Sequence, residues 1–361
     1  MNPDTAEHWV RVERHADLGR ITLTRPAAIN ALSAGMIAAI DTALAEWSVD
    51  PGIALVVIDG EGERGLCAGG DIKAMYDSAR GDGTLARSLW QTEYRMNARI
   101  DGYPKPVLAL MHGLVLGGGV GISAHASLRV VTGNSRIGMP ETGIGMVPDI
   151  GGTWLLGHAP AELGTHLALT GAMLGPADAI YCGLADVYVH SDQLAALRQA
   201  PDSASALALL DHARQQDRSG PVSDWSWVRS CYSADTMPGI MDRLTACGAP
   251  QAAAAAAVIA TRSPTALVVT LRALRSAAEL PSLRHALDQE YRIVCQRLAD
   301  PDFAEGIRAQ VIDKDRRPRW NPATLAGVDP AVVDRHFAVR QNDELGLADS
   351  MSSSASTSRS G

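Results

Sequence analysis

From Gly138 to Gly152 the chain reads "GMPETGIGMVPDIGG", and its only charged residues are two carboxylates eight positions apart, Glu141 and Asp149. A surface loop would mix in Lys, Ser or Asn; this stretch has the composition of a segment that lines something. A carboxyl group among apolar neighbours has a raised pKa, which suits a general base working near neutral pH. The same group could instead attack an acyl carbon and form a covalent intermediate. Asp149 also has a plainer reading, as the N-cap of a helix beginning in "IGGTWLL". Two Gly-rich stretches could supply the complementary chemistry. "GLCAGGDIKAMY" (65–76) follows an apolar run, and its small residues would let a backbone N–H approach a ligand closely. "MHGLVLGGGVGISAHA" (111–126) carries three consecutive glycines, Gly117 to Gly119, ahead of a segment with helical spacing. Unpaired N–H groups at a helix start favour an anion or a developing oxyanion.

Rival motifs are weak or absent. Residues 119–124 fit GxGxxA, a dinucleotide fingerprint, but the glycines do not follow their strand tightly and Glu141 does not end a second strand. The chain has no GxSxG, HExxH or GxxxxGK[ST] run. The ten histidines show no metal-ligand spacing, so neither a metal nor a separate cofactor is expected.

The elements that must position these groups follow from periodicity. "GRITLTRP", "IALVVIDGEG", "KPVLALMHG", "LRVVTG" and "ADVYVH" read as strands, with helical segments between them. Among these helices "SAGMIAAIDTALAEW" opens on Ser33 as N-cap. The alternation indicates an α/β fold. From about residue 203 helices dominate, including "PQAAAAAAVIATR", "SPTALVVTLRALRSAA" and "SLRHALDQEYRIVCQRL". The expected division is an α/β core over 1–202, a helical region packed on it over 203–340, and a disordered Ser-rich tail over 341–361. In "TLARSLWQTEYRMNARI", Leu85, Leu89, Met96 and Ile100 fall within about 60° of one another on a helix, and Glu93 sits about 20° beyond Ile100. It borders the apolar stripe, where a solvent-facing acid would be the ordinary outcome.

The chain has 361 residues, 46% of them hydrophobic, and a net charge of −8. That length buries a sizeable core. The acidic balance argues against nucleic acid as a partner. Five scattered cysteines without a CxxC pair fit a reducing compartment. The opening "MNPDTAEHWV" lacks the apolar core of a secretory signal and the Arg-rich pattern of a mitochondrial leader. No apolar run reaches bilayer-spanning length. A cytoplasmic protein without a membrane partner is expected.

Taken together, "ITLTRPAAINAL", "CAGGDI", "HGLVLGGGVGIS", "MPETGIGMVPDIGG", "LALTG" and "DFAEGIRAQVIDKDRRPRW" resemble the crotonase superfamily, the enoyl-CoA hydratase/isomerase group, over nearly the whole chain. The "MPETxIGxxPDxGG" and "EGxRAxxIDKDxxPxW" patterns are similar to its thioester-hydrolase branch. The resemblance implies a spiral of ββα repeats with a helical C-terminal region, and a coenzyme A thioester as substrate and main partner. Further copies of the chain are an open second partner. It implies that the N–H groups of Gly70 and Gly118 bind the thioester oxygen, and that Glu141 is the catalytic carboxylate. Asp149 would then help to hold substrate or water, and Glu93 would contact the substrate. Ala68, Asp71, Ile72 and Lys73 would lie along the coenzyme A moiety. The implied reaction is hydrolysis of a short-chain 3-hydroxyacyl-CoA, with 3-hydroxyisobutyryl-CoA in valine breakdown as the expected case. The alternatives are a hydratase or isomerase on the same fold and a non-catalytic acyl-CoA-binding module. Hydratases of the group carry a first catalytic Glu three residues after the middle glycine, where this chain has Gly121.

Overall fold

The edge and the interior of the main sheet differ in sequence for a physical reason. Strand β1 (Val10–His15, VRVERH) alternates charged residues and is largely exposed, while β2 (Leu18–Leu23) and β3 (Leu55–Gly60, LVVIDG) are buried along their whole length. Strands covered on both faces are mostly apolar, and a charged edge resists further pairing. The sheet continues through β4 (Val107–Met111), β6 (Leu128–Val131) and β8 (Val187–Tyr188), in the order β1-β2-β3-β4-β6-β8. All neighbours are parallel except β1 and β2. A second, parallel pair joins β5 (Leu114–Leu116) to β7 (Arg136–Gly138). Each strand named from the sequence is present, though "ADVYVH" contributes only two residues; β1, β5 and β7 are additional.

The computed structural model describes residues 9–216, 219–220, 222–340 and 343–348. The opening residues 1–8, on which the expectation of no leader rests, lie outside them, as does the Ser-rich stretch from 349 onward. Between the strands lie α1 (Ala34–Val49), α2 (Ile72–Ala79), α3 (Thr84–Asp101), α4 (Gly118–Gly121), α5 (Gly152–Gly157) and α6 (Leu163–Thr170). Ser33 caps α1 as expected, its side chain accepting from the Met36 N–H. Among the described residues no single helix is long and apolar enough to cross a membrane.

Contacts divide the chain into two units, and not at residue 202. The first comprises residues 1–71, 99–139 and 173–224; the second comprises 72–98, 140–172 and 225–361. Residues 203–224 belong to the first unit because the helix Ser203–Arg214 completes its core. There Ala206, Leu210 and Ala213 cluster with Leu55, Val57, Leu108, Leu110 and Val187. Among the described residues, the regular elements of the second unit are all helices. Its apolar cluster gathers Leu169, Val228, Tyr232, Ile240, Leu244, Ala252, Ile259 and Leu271, so the Ala-rich helix Pro250–Ile259 is a core element. Within the stretch expected to be a disordered tail, residues 343–348 are instead ordered. Leu345 and Leu347 are buried, Glu344 pairs with Arg292 at 2.7 Å, and the Asp288 carboxylate accepts from the Leu347 and Ala348 N–H groups. The chain-end apolar residues that permit this docking lie just ahead of the Ser run.

Candidate active site

The second unit concentrates titratable groups where they are costly to keep. Glu93, Glu141, Asp149 and Glu290 are all buried, at 4, 9, 8 and 0% exposure. Glu93 projects from α3 and faces the interior rather than solvent; of the apolar stripe expected beside it, Leu89, Met96 and Ile100 are buried while Leu85 is exposed. Glu141 opens a short 3-10 turn, Glu141–Ile144. Asp149 precedes α5, and Glu290 lies on the helix Leu283–Leu298.

Burial penalises the charged form of each acid, and their mutual repulsion adds to it. Glu93 is pushed up to about 8 by desolvation and by the Asp149 charge. Glu290 is likewise pushed up by burial to about 8, against hydrogen bonds that favour its anion. Glu141 is held well above the usual carboxylate range by desolvation, then by Asp149. Asp149 reaches only about 6, because the Tyr94 hydroxyl donates to its Oδ2 at 2.6 Å and supports the anion. Of the four acids, Asp149 is thus the one whose anion has a phenol donor to support it. Burial and the neighbouring Asp149 raise the Tyr94 phenol in turn.

The backbone carrying Glu141 and Asp149 is fixed from the C-terminal helices. Gly145 closes the Glu141 turn in a left-handed conformation, and its carbonyl accepts from the guanidinium of Arg297, itself fully buried. Gly306 backs the same turn so closely that a Cβ there would lie 2.3 Å from Ile144. After Asp149 the chain passes through positive φ at Ile150 and Gly151. The N–H groups this leaves go to Glu290, at 2.6 Å from Gly151 and 2.8 Å from Thr153, with the Thr153 hydroxyl also donating. The capping reading of Asp149 is thereby corrected: α5 begins at Gly152 with no side-chain cap from Asp149, and Glu290 takes the N–H groups at its start.

In the first unit the two Gly-rich stretches run side by side. Cys67 bridges to Val115, and the Leu116 N–H donates to the Cys67 carbonyl at 3.0 Å. The approach requires glycine at 119, where a Cβ would stand 2.6 Å from the Cys67 oxygen; Gly117 needs its own freedom for φ 47°, ψ −119°. Gly118 is the first residue of α4, so its N–H has no partner within the helix. A Cβ built on Gly70 would meet nothing within 4 Å, so the backbone faces open space there. Ala68 is half-buried beside it. Half-buried Asp71 is held by Arg25 at 3.1 Å. Ile72 and the exposed Lys73 begin α2, in the second unit. Gly121 closes α4, buried and without a side chain.

The structure thus brings Glu93, Glu141 and Asp149 into one electrostatic cluster and sets Gly70 and Gly118 on adjoining loops. Two members of the acid cluster went unrecognised in the sequence. Glu290 had a readable signal, since it falls three residues after Leu287 and four before Val294 on the buried stripe. Tyr94 did not, because a tyrosine beside an apolar stripe is ordinarily core.

The fold and these sites define a family, and the chain belongs to it: the enoyl-CoA hydratase/isomerase family of crotonase-fold enzymes, whose model matches residues 18–337. Among curated relatives, the rat protein named 3-hydroxyisobutyryl-CoA hydrolase, mitochondrial, is 39% identical over 349 residues, covering 93% of this chain and 90% of the relative. The human protein of that name is 36% identical over 366 residues, covering 95% of each. Two solved structures are similar throughout. A carnitinyl-CoA dehydratase from Mycobacterium thermoresistibile matches at 46% identity and TM-score 0.90, over 94% of this chain and 99% of that one. An enoyl-CoA hydratase from Rhodobacter sphaeroides matches at 42% identity and TM-score 0.87, over 93% and 99%.

Proposed function

We propose that the protein hydrolyses a short-chain 3-hydroxyacyl-CoA, with 3-hydroxyisobutyryl-CoA in valine breakdown as the physiological case. Curated relatives of that name, matched over nearly their full length, support the reading. The observation that carries it against a hydratase reading is that the chain has a buried carboxylate at Glu141 but no side chain at Gly121. Adding water across a double bond needs one acid to activate water and another to deliver a proton to the α-carbon. Thioester hydrolysis needs an oxyanion site and one carboxylate acting at the carbonyl carbon.

In this mechanism the N–H groups of Gly70 and Gly118 stabilise the negative charge that develops on the thioester oxygen, and losing one such donor costs about 10²–10³ in rate. Glu141 either takes a proton from the attacking water or attacks the carbonyl itself, giving a mixed anhydride that water then opens. By both routes the C–S bond breaks, the thiolate takes a proton to leave as CoA, and the carboxylic acid is released. Asp149 holds the water or substrate as the ionised partner, and Glu93 receives the substrate hydroxyl. Ala68, Asp71, Ile72 and Lys73 bind the coenzyme A moiety, and no further cofactor enters. The five cysteines are all free thiols, which supports a reducing compartment, and the cytoplasm is the setting proposed. The test is a side-by-side assay: CoA release from 3-hydroxyisobutyryl-CoA is expected to be far faster than hydration of crotonyl-CoA. Comparable or faster hydration would overturn the hydrolase reading.

A further inference from the structure

Asn97 lies on α3 one turn after Glu93, and its side chain is fully buried. Among the described residues neither its amide oxygen nor its amide nitrogen has a hydrogen-bond partner, and the Glu93 Oε1 has none either. Four residues of helix rotate a side chain by only about 40°, so the two groups share one face of α3. A buried amide left unpaired is destabilising, and an apolar residue of the same size would remove the cost. The pair therefore has the character of a polar wall held ready for a ligand group. The chemistry of that group follows from the inventory: the amide offers two donors and an acceptor, and the carboxyl offers acceptor oxygens. An alcohol, which is one donor and one acceptor on a single atom, satisfies both residues at once.

We propose that Asn97 is a specificity-determining residue that acts with Glu93: the substrate's hydroxyl donates to Glu93 while its oxygen accepts from the Asn97 amide. The inference rests on the reading of the substrate as a 3-hydroxyacyl thioester and adds to it the residue that reads the hydroxyl oxygen. It also predicts an asymmetry in selectivity. A site with two buried polar groups committed to a hydroxyl penalises the analogue lacking it more than a single hydrogen bond would, because both groups are then left unpaired.

Asn97→Leu and Asn97→Asp test this with two substrates that differ only in the hydroxyl, 3-hydroxyisobutyryl-CoA and isobutyryl-CoA. For Asn97→Leu, the ratio of kcat/KM between them is expected to fall by about 10–100-fold, the worth of a hydrogen bond to a charged or committed buried group. The variant should melt no lower than the wild type, since an unpaired amide has been removed. Asn97→Asp, which keeps the shape but loses the donors, should fall similarly. Calorimetric binding of the corresponding non-hydrolysable thioethers provides a readout independent of turnover: the wild type should prefer the hydroxylated ligand and Asn97→Leu should not. An unchanged ratio and an unchanged binding preference in folded Asn97→Leu would overturn the proposal. If the wild type releases CoA from neither thioester, the hydrolase reading fails by itself, and the thioether preference still decides the role of Asn97.

Discussion

Asp59 in the first unit and three buried acids of the second are treated in opposite ways. In the first, Asp59 is 5% exposed and fully engaged: Arg198 donates to both of its carboxylate oxygens at 2.8 and 2.9 Å, and His112 stands 3.8 Å away. That cluster also ties strand ends together, because Arg198 reaches the Gly60 carbonyl and His112 the Gly62 carbonyl. In the second unit Glu93, Glu141 and Asp149 are equally buried, yet among the described residues none of the three has a cation as ion-pair partner, and Glu93 and Glu141 each keep an oxygen without a hydrogen-bond partner. An acid that only holds a fold together is stabilised by pairing, whereas an acid that must change protonation or contact a substrate cannot be locked to a guanidinium. Glu290 and Asp288 lie between these extremes, buried without a cation but held by backbone N–H groups, so the contrast is drawn between Asp59 and the acids that keep an oxygen free, and mutations that exchange the two behaviours test it.

The largest effect is expected at Glu141. Glu141→Gln keeps the shape but can neither take a proton nor attack a carbonyl, so CoA release should fall by about 10²–10⁴-fold. Binding of a thioester analogue should be nearly intact and the melting temperature should change little, because the amide keeps the shape of the carboxyl group and brings no charge into the buried site. Turnover within tenfold of the wild type would exclude Glu141 as base or nucleophile.

Arg198→Met should show the reverse pattern. Met retains the apolar stem but leaves Asp59 buried and unpaired, which should cost about 2–3 kcal/mol of stability in denaturant unfolding, somewhat less than for a fully buried pair because the Arg198 side chain is 34% exposed. Activity per folded molecule should change little. A loss of activity as large as that of Glu141→Gln, with stability retained, would break the distinction between the two kinds of acid.

How much of this was legible in the sequence depends on the range of the interaction. Ser33 as N-cap, the largely apolar β2 and β3 and the buried face of Leu283–Leu298 are local patterns, and periodicity reads them directly. The division into units was not legible. The helix Ser203–Arg214 looks like the helices after it, and only its packing on β3, β4 and β8 places it with the sheet. The same holds at the site. Glu141 and Asp149 announce themselves by an apolar context, but the hydroxyl that lowers Asp149 comes from Tyr94, 55 positions earlier. The carboxylate that takes the N–H groups after Asp149 comes from Glu290, 139 positions beyond Gly151. No spacing rule links such pairs, and the alternative reading of Asp149 as an N-cap falls because a distant acid fills the role.

The smallest effect expected is also the one that reads the unpaired acids most directly, through the pH dependence of stability. Glu93 is pushed up to about 8 in the folded protein from an ordinary value near 4.5, chiefly by desolvation and then by Asp149. Between those values the folded state binds a proton that the unfolded state has released, so stability must fall as pH rises across that interval. The contribution is fully present below about pH 4.5 and is lost on passing pH 8. Glu93→Gln removes the titration while leaving a neutral group of the same shape. Relative to the wild type, the variant should therefore gain melting temperature as the pH is raised from 5.5 to 8.5, by roughly 2–4 °C for each kcal/mol of linkage. Asp59 provides the control, since Asp59→Asn at a paired site removes an anion that Arg198 wants and should destabilise at both pH values. If Glu93→Gln tracks the wild type at every pH, Glu93 carries no raised proton affinity, and the electrostatic difference between the two units disappears at that residue.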